Sequence, residues 1–237
     1  MLRGILVALT QFLLVPWLAL FAWVGETLLP GREITALSGI AWGRAAAFVG
    51  NVKFLISGHE QWWGTRPAVV VANHTSAFDI LAVMALAPSP YRFVAKKELL
   101  KIPVFGWALG ISGHIVIDRG DPQSAIARIN AAAEHTERGM GILFYAEGTR
   151  SRDGKVHEFK KGGVSLALST QLPVVPMSVS GTRKFLPRSC AVIRPGGRVR
   201  IVLGEPIPTT GLTYDDREAL NQRVRRVVVS NFVEELV

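Results

Sequence analysis

The chain contains one pair of residues whose types and spacing suit acid–base catalysis. His74 precedes Asp79 by five positions, and both follow the apolar run 68–72, which is typical of a buried parallel strand. A strand-to-helix corner between them can bring the imidazole and the carboxylate within hydrogen-bond reach. The carboxylate would fix the tautomer of the ring and leave its other nitrogen free as a general base. Because Asp79 also follows Ser76 by three positions, an ordinary helix cap is the alternative.

A second polar cluster follows the predicted strand 141–146 and contains groups that suit phosphate binding. Gly148 permits a close approach of the backbone to a ligand, and Arg150 offers a planar fork of donors for phosphate. Lys160 and Lys161 open a predicted helix, whose free N-terminal amides attract an anion. A surface turn and a solvated basic helix cap are the alternatives for these two clusters.

The sequence shows no protein nucleophile to accompany the His–Asp pair. The G-x-S-x-G nucleophile elbow is absent. A base without a protein nucleophile favours direct attack by a substrate hydroxyl, with no acyl-enzyme intermediate. The single Cys190 excludes an internal disulfide, and the scattered histidines argue against a structural zinc site.

The elements that must position these groups alternate between strands and helices. The predicted strands are 68–72, 91–95, 114–117, 141–146 and 174–179, and the predicted helices are 76–87, 105–112, 124–138 and 163–170. This alternation predicts an α/β fold with a mostly parallel sheet flanked by helices. Polar residues that follow such strands meet at one edge of the sheet, where α/β proteins bind their ligands.

The last part of the chain predicts a hairpin and a terminal helix. The segments 191–194 and 198–203 flank Pro195-Gly196-Gly197, which is a hairpin signal. Thr213 and Asp216 have the spacing of a capping box, and the helix that they open is expected to run to about Glu235.

The N-terminal region predicts a two-helix membrane anchor. Residues 4–24 carry no formal charge, and as a helix they would span ~32 Å, close to the ~30 Å core of a bilayer. A second apolar stretch, 34–56, contains Arg44 and Lys53. It therefore suits a hairpin that dips into one leaflet, or an interfacial helix after a first span. Two buried core helices are the alternative. We accordingly expect an anchor and connector at 1–66 and a catalytic domain at 67–237.

The charge balance favours anionic partners. The formal net charge is +9, of which residues 67–237 contribute +7. Such a balance suits anionic lipid, phosphorylated ligands or nucleic acid, or it is only a basic surface without a specific partner. A nucleic-acid-binding role would not explain the apolar N-terminus, so no nucleic-acid partner is predicted.

Together the motifs resemble the glycerolipid acyltransferase family, most closely its bacterial 1-acyl-glycerol-3-phosphate acyltransferases. The four similar blocks are the H-x4-D segment within 73–79, then 113–119, the E-G-T-R segment within 144–151, and 172–176. The resemblance covers about residues 67–183. Two positions depart from the family pattern, because Ala146 replaces the usual proline and His114 replaces a hydrophobic or small residue.

The resemblance implies a role for each block. His74 is the general base and Asp79 orients it. The predicted substrate-binding residues, from the motifs and from the cationic helix start, are Asn73, Arg119, Glu147, Gly148, Thr149, Arg150, Lys160 and Lys161. Block 172–176 is implicated on the side of the acyl donor. No metal and no other cofactor is expected.

The resemblance also implies the reaction and its setting. A fatty acyl group would pass from acyl-CoA or acyl-carrier protein to the sn-2 hydroxyl of lysophosphatidic acid, to give phosphatidic acid. Another lysolipid or glycerol 3-phosphate as acceptor, and a non-catalytic membrane lipid-binding protein, are the alternatives. We expect association with membrane lipids, at the bacterial inner membrane, with the catalytic domain on the cytoplasmic face.

Overall fold

The N-terminal region forms two helices. The computed structural model describes residues 2–29, 34–58, 67–86, 91–131, 140–187, 194–234 and 236. Helix α1 spans Leu2–Leu28 and continues through Pro16, and helix α2 spans Ile34–Gly50. The two helices pack against each other, and the side chain of Glu26 accepts hydrogen bonds from the backbone and the hydroxyl of Thr35, at 3.0 and 3.1 Å.

The described residues form one seven-stranded sheet. Its strands are β1 (Val52–Ser57), β2 (Val69–Ala72), β3 (Tyr91–Lys96), β4 (Ile115–Ile117), β5 (Gly141–Tyr145), β6 (Val174–Ser180) and β7 (Gly197–Leu203). The spatial order is β1-β7-β6-β2-β5-β3-β4. Five strands, from β6 to β4, run parallel to one another, whereas β7 pairs antiparallel with β6 and parallel with β1. The predicted α/β architecture with a mostly parallel sheet is confirmed.

Helices cover both faces of this sheet. Among the described residues, the other α-helices are α3 (Phe78–Leu86), α4 (Phe105–Ile111), α5 (Pro122–Ala131), α6 (Gly162–Thr170), α7 (Thr182–Phe185) and α8 (Arg217–Asn231), and two 3₁₀ helices span Lys97–Lys101 and Tyr214–Asp216. Both halves of the predicted capping box at Thr213 and Asp216 are present. The ends of the predicted helices at 87 and 132–138 lie outside the described residues.

Strand β2 is buried on both faces, which explains its unbroken apolar sequence. On one face Val70 packs in a core with α3 and with Phe185 of α7. On the opposite face Val69 and Val71 pack in a second core with α6 and α8. The polar residues that follow Ala72 are thereby held on a rigid central strand.

The structure corrects two sequence expectations. The second apolar stretch is not one helical element to residue 56, because α2 ends at Gly50 and residues 52–57 form edge strand β1 beside β7. The sheet therefore takes a strand from the segment that we assigned to the anchor. Strand β7 pairs with β6 and β1 rather than with residue 194, which lies outside any strand; 191–193 lie outside the described residues.

Helix α2 connects the N-terminal region to the helix that carries Asp79. A Cβ atom at Gly43 would lie 2.5 Å from both the carbonyl oxygen of Leu81 and the amide nitrogen of Ala85, so only glycine allows α2 to approach α3 this closely. The guanidinium of Arg44 then donates to the carbonyl of Ala85 at 3.2 Å, near the end of α3. The charged side chain of Arg44, which was predicted to disfavour a second membrane span, thus forms a hydrogen bond between α2 and α3.

The N-terminal helices leave large apolar side chains uncovered. Leu13, Trp17 and Leu28 of α1 are 62% to 71% exposed, and Phe48 of α2 is 87% exposed. By length and hydropathy, none of the helices in the described part of the chain qualifies as a membrane-spanning segment.

We predict that Gly43→Ala lowers the free energy of unfolding by about 1–3 kcal/mol, because the added methyl group overlaps the backbone of α3. Gly39→Ala, in the same helix, is the matched control. Its Cβ would lie 3.6 Å from the flexible Met84 side chain, so it should be neutral or raise stability by about 0.5–1 kcal/mol through helix propensity. Denaturant unfolding of both variants measures the difference; equal effects would contradict the close contact.

Candidate active site

The imidazole of His74 and the carboxylate of Asp79 face each other across the corner between β2 and α3. The Nδ1 atom of His74 lies 2.7 Å from Oδ2 of Asp79, and the two side chains are 12% and 0% exposed. Because a carboxylate only accepts hydrogen bonds, this contact places the ring proton on Nδ1. The Nε2 lone pair is then available to accept a proton from a substrate.

The carboxylate of Asp79 is surrounded by donors. Its Oδ2 atom also accepts from the backbone amides of Thr75 and Ser76, at 2.8 and 3.0 Å, and Oδ1 accepts from the hydroxyl of Thr182. The hydrogen bonds from these two amides show that Asp79 caps the start of α3, which was the alternative to a catalytic pair. The same carboxylate therefore caps the helix and orients His74, and the two interpretations are compatible.

The loop after β5 holds both backbone polar groups of His74. The amide of His74 donates to Oε1 of Glu147 at 2.8 Å, and the carbonyl of His74 accepts from the amide of Ser151 at 2.8 Å. Residues 147–151, which include the E-G-T-R segment, are thus joined to both backbone groups of His74. This contact brings the two main sequence motifs into one site.

Glu147 is buried, and its two oxygens serve two different backbone amides. While Oε1 accepts from His74, Oε2 accepts from the amide of His157 at 3.3 Å. Burial raises the pKa of Glu147, and these two amide hydrogen bonds partly oppose the increase. We predicted that Glu147 binds substrate; in the structure its carboxylate holds the backbone of His74.

The ring of Tyr145 packs on His74, a contact that no sequence motif indicated. The two ring centroids are 4.3 Å apart with an interplanar angle of 22°. Burial, and secondarily the charge of Asp79, raise the pKa of the Tyr145 phenol well above its usual value, so the group is neutral. The stacked ring shields one face of the imidazole from water.

Several predicted substrate-binding residues lie close to this turn. Gly148 has a φ of +70°, and a Cβ there would lie 2.9 Å from the side chain of Lys160, so Lys160 crosses directly over the E-G-T-R loop. Thr149 is exposed and Arg150 is half-buried in the same loop. The structure therefore brings Lys160 and Arg150 to the loop that contacts His74.

Other predicted residues have different surroundings. The Nζ atom of Lys161 lies 2.5 Å from the carboxylate of Glu218 on α8. The amide side chain of Asn73 is fully buried and bonds both backbone groups of Val179, at 2.9 and 2.8 Å, so it joins β2 to β6. Arg119 follows the edge strand β4, separated from β2 by two strands.

An apolar cavity lies on the α3 face of the sheet. It is partly open to solvent and is lined by α1, α2, α3, β3 and α4. Phe93 lines it, and the Phe93 ring lies 6.4 Å from that of Tyr145, which stacks on His74. His114 also lines it, and burial, with the nearby charge of Arg92, lowers the pKa of His114 to about 3.

Comparison with known proteins identifies relatives that are named as acyltransferases. The family model described as Acyltransferase matches residues 53–180. The putative 1-acyl-sn-glycerol-3-phosphate acyltransferase acl-2 of Caenorhabditis elegans is 31% identical over 87% of this chain and 78% of that protein. The chloroplastic 1-acyl-sn-glycerol-3-phosphate acyltransferase BAT2 of Brassica napus is 38% identical over 60% of this chain, but the match covers only 41% of BAT2.

A solved structure shares the fold over nearly the whole chain. The 1-acyl-sn-glycerophosphate (LPA) acyltransferase PlsC from Thermotoga maritima superposes with a TM-score of 0.79 and 28% sequence identity. The superposition covers 97% of this chain and 94% of that protein. The similarity therefore includes the N-terminal helices as well as the sheet.

We predict that Glu147→Gln lowers kcat/KM about tenfold while the protein stays folded. Glutamine keeps one acceptor oxygen but places an NH₂ group against a backbone N–H, so one of the two hydrogen bonds is lost, at a cost of about 1–3 kcal/mol. Glu158→Gln is the control, since Glu158 is exposed and lies 3.4 Å from Arg225. Steady-state acyl-transfer rates compare the variants; unchanged activity of Glu147→Gln would show that this carboxylate does not hold His74.

Proposed function

Because the chain belongs to the acyltransferase family, we propose that it is a 1-acyl-sn-glycerol-3-phosphate O-acyltransferase. It transfers a fatty acyl group from acyl-CoA or acyl-carrier protein to the sn-2 hydroxyl of lysophosphatidic acid. The observation that carries the proposal is the 2.7 Å contact between His74 and Asp79, joined to the E-G-T-R loop through both backbone groups of His74. This arrangement supplies a base beside a loop that contains Arg150.

The reaction follows from the available lone pair of His74. The Nε2 atom accepts the proton of the acceptor hydroxyl as its oxygen attacks the thioester carbonyl carbon. The carbon–sulfur bond then breaks, and the imidazolium returns the proton to the departing sulfur, which gives an ester and a free thiol. Asp79 stabilises the imidazolium between these steps without taking up the proton. Base catalysis of this kind contributes roughly 10²–10⁴-fold to a rate.

Cationic groups near the loop support a phosphorylated acceptor. Arg150 and Lys160 lie on or across the loop that is joined to His74. A guanidinium binds two phosphate oxygens at once, and a lysine adds a mobile positive charge. The acceptor phosphate would bind there and hold the sn-2 hydroxyl beside Nε2.

The apolar cavity supports a long acyl chain as part of a substrate. Its wall includes Ile80, which follows Asp79 directly, and Met84 one helical turn later, so the cavity begins at the catalytic helix. An alkyl chain that enters it removes apolar surface from water, which is favourable by about 25 cal/mol per Å². The cavity wall formed by α1 and α2 gives the N-terminal helices a part in substrate binding.

The exposed apolar side chains of α1 and α2 support a position in the membrane interface. Exposed apolar surface of this extent is typical of proteins that contact lipid. A helical hairpin embedded in one leaflet would place the cavity where the alkyl chains of a lysolipid are already dissolved. We propose the cytoplasmic leaflet of the inner membrane, because acyl-CoA and acyl-carrier protein are soluble donors.

Two alternatives make different predictions for purified protein. An enzyme for another lysolipid or for glycerol 3-phosphate would show its highest kcat/KM with that acceptor in a panel. A non-catalytic lipid-binding protein would release no thiol from acyl-CoA with any acceptor. The intact His74–Asp79 contact favours an enzyme over a binding protein.

We predict that His74→Ala lowers kcat by at least about 10²-fold without loss of folding, because it removes the base. His157→Ala is a matched control, since His157 also lies 2.7 Å from a carboxylate, that of Asp153, but in an exposed pair. Thiol release from acyl-CoA in the presence of lysophosphatidic acid measures both variants. Wild-type turnover by His74→Ala would end the proposed mechanism.

A further inference from the structure

Exposed apolar side chains also cluster in one segment of the catalytic domain, away from the N-terminal helices in sequence. Leu100, Ile102, Val104 and Trp107 are each 42% to 46% exposed. We call these four side chains the 100–107 surface. None of the four lines the apolar cavity, whereas their neighbours Leu99 and Phe105 do. Cavity-lining residues therefore flank the exposed stretch 100–104 on both sides.

The backbone of this segment is held in a strained conformation. Val104 has φ +62° and ψ −53°, and the amide of Phe105 donates to the carbonyl of Pro103 at 2.6 Å. These values define a γ-turn of the rare, positive-φ kind, which is unfavourable for a β-branched residue. A Cβ atom at Gly106 would overlap the carbonyl of Leu100, so glycine is needed for the chain to fold back. The Val104 side chain is exposed in this conformation, so core packing does not explain the backbone strain.

The charges around the surface are mostly positive. Lys96, Lys97 and Lys101 are exposed, and Glu98 is the one acidic residue between 96 and 107. Lys97 contacts Asp118. Lysines beside exposed apolar side chains and a tryptophan are typical of segments that contact anionic lipid headgroups.

The 100–107 surface belongs to a segment that contacts α1. Helix α4, which carries Trp107, packs against α1, and Leu109 of α4 lines the cavity together with Leu18 and Ala22 of α1. Helix α4, on which Trp107 is exposed, is therefore a direct neighbour of the helix that we propose to lie in the leaflet.

We infer that the 100–107 surface inserts into the headgroup region of an anionic lipid leaflet, as a second lipid-contacting element within the catalytic domain. This inference rests on the membrane position proposed above. Because the N-terminal helices and the catalytic domain form one rigid unit, a hairpin alone would still let that unit tilt on the membrane surface, and a second contact restricts the tilt. The occupant is lipid rather than a protein partner, because the surface combines lysines with large apolar groups next to α1.

The decisive experiment removes apolar surface without disturbing the fold. In full-length Ile102→Ser/Val104→Gly, glycine accepts the positive φ at position 104 without strain. Val229→Ser is the control, because Val229 has the same 42% exposure as Val104 but lies on α8. Sedimentation with vesicles of phosphatidylcholine and phosphatidylglycerol should show about tenfold weaker binding for the double variant, from the apolar area lost. The control should bind like the wild type. Wild-type binding by the double variant would overturn the inference.

A second variant tests the choice of anionic lipid. Lys101→Glu should weaken binding to the mixed vesicles several-fold and leave binding to phosphatidylcholine vesicles unchanged. Equal binding to the mixed vesicles by Lys101→Glu and wild type would contradict the proposed headgroup charge.

Activity distinguishes this inference from the proposed function. Without vesicles, the double variant should acylate a short-chain, water-soluble lysophosphatidic acid at the wild-type kcat, since none of its altered residues contacts the site. A loss of kcat there would mean that the segment supports the fold of the site, and it would overturn the inference. Vesicle binding needs no turnover, so it remains decisive if the wild type proves inactive with this acceptor.

Discussion

The site depends on one buried negative charge. Asp79 is fully buried, and an unpaired carboxylate in such a place would be far more costly than in water. The imidazole of His74, the amides of Thr75 and Ser76, and the hydroxyl of Thr182 surround it. Three of these donors come from the turn between β2 and α3, and the fourth comes from the start of α7. Their convergence fixes the corner, the tautomer of the ring and the direction of its free nitrogen.

The parallel sheet brings the remaining groups to this corner. Ala72 pairs with Tyr145 of β5 and with Met177 of β6, so these three strands reach the same edge in register. The loops that follow β2 and β5 then begin side by side, which allows Glu147 and Ser151 to hold the backbone of His74. Close packing of α2 on α3, permitted by Gly43, extends the rigid unit to the N-terminal helices. The apolar cavity forms between these layers.

The sequence predicted the groups whose partners are near in the chain. The His74–Asp79 contact spans one corner, and the strand ends carried recognisable polar turns. Residues whose partners are distant left no such signal. Thr182 reaches Asp79 across 103 positions, and Tyr145 packs on His74 only because β2 and β5 are neighbours. Strand β1 was missed because its apolar residues continue the pattern of α2, and its pairing with β7 depends on tertiary structure. Lys160 and Lys161 are adjacent in sequence and were both predicted to bind substrate, but Lys161 pairs with Glu218, which is distant in the chain.

The protonation of His74 tests the account most directly. The fixed contact with Asp79 requires a proton on Nδ1, and the proposed role as a general base requires an unprotonated Nε2. Nitrogen-15 NMR of histidine-labelled protein reads the two ring nitrogens separately, and comparison with His74→Ala assigns the signal. The account predicts a protonated Nδ1 and a bare Nε2 for His74. A proton on Nε2 with a bare Nδ1 would contradict it, because the ring could not then donate to Asp79 and accept from a substrate hydroxyl.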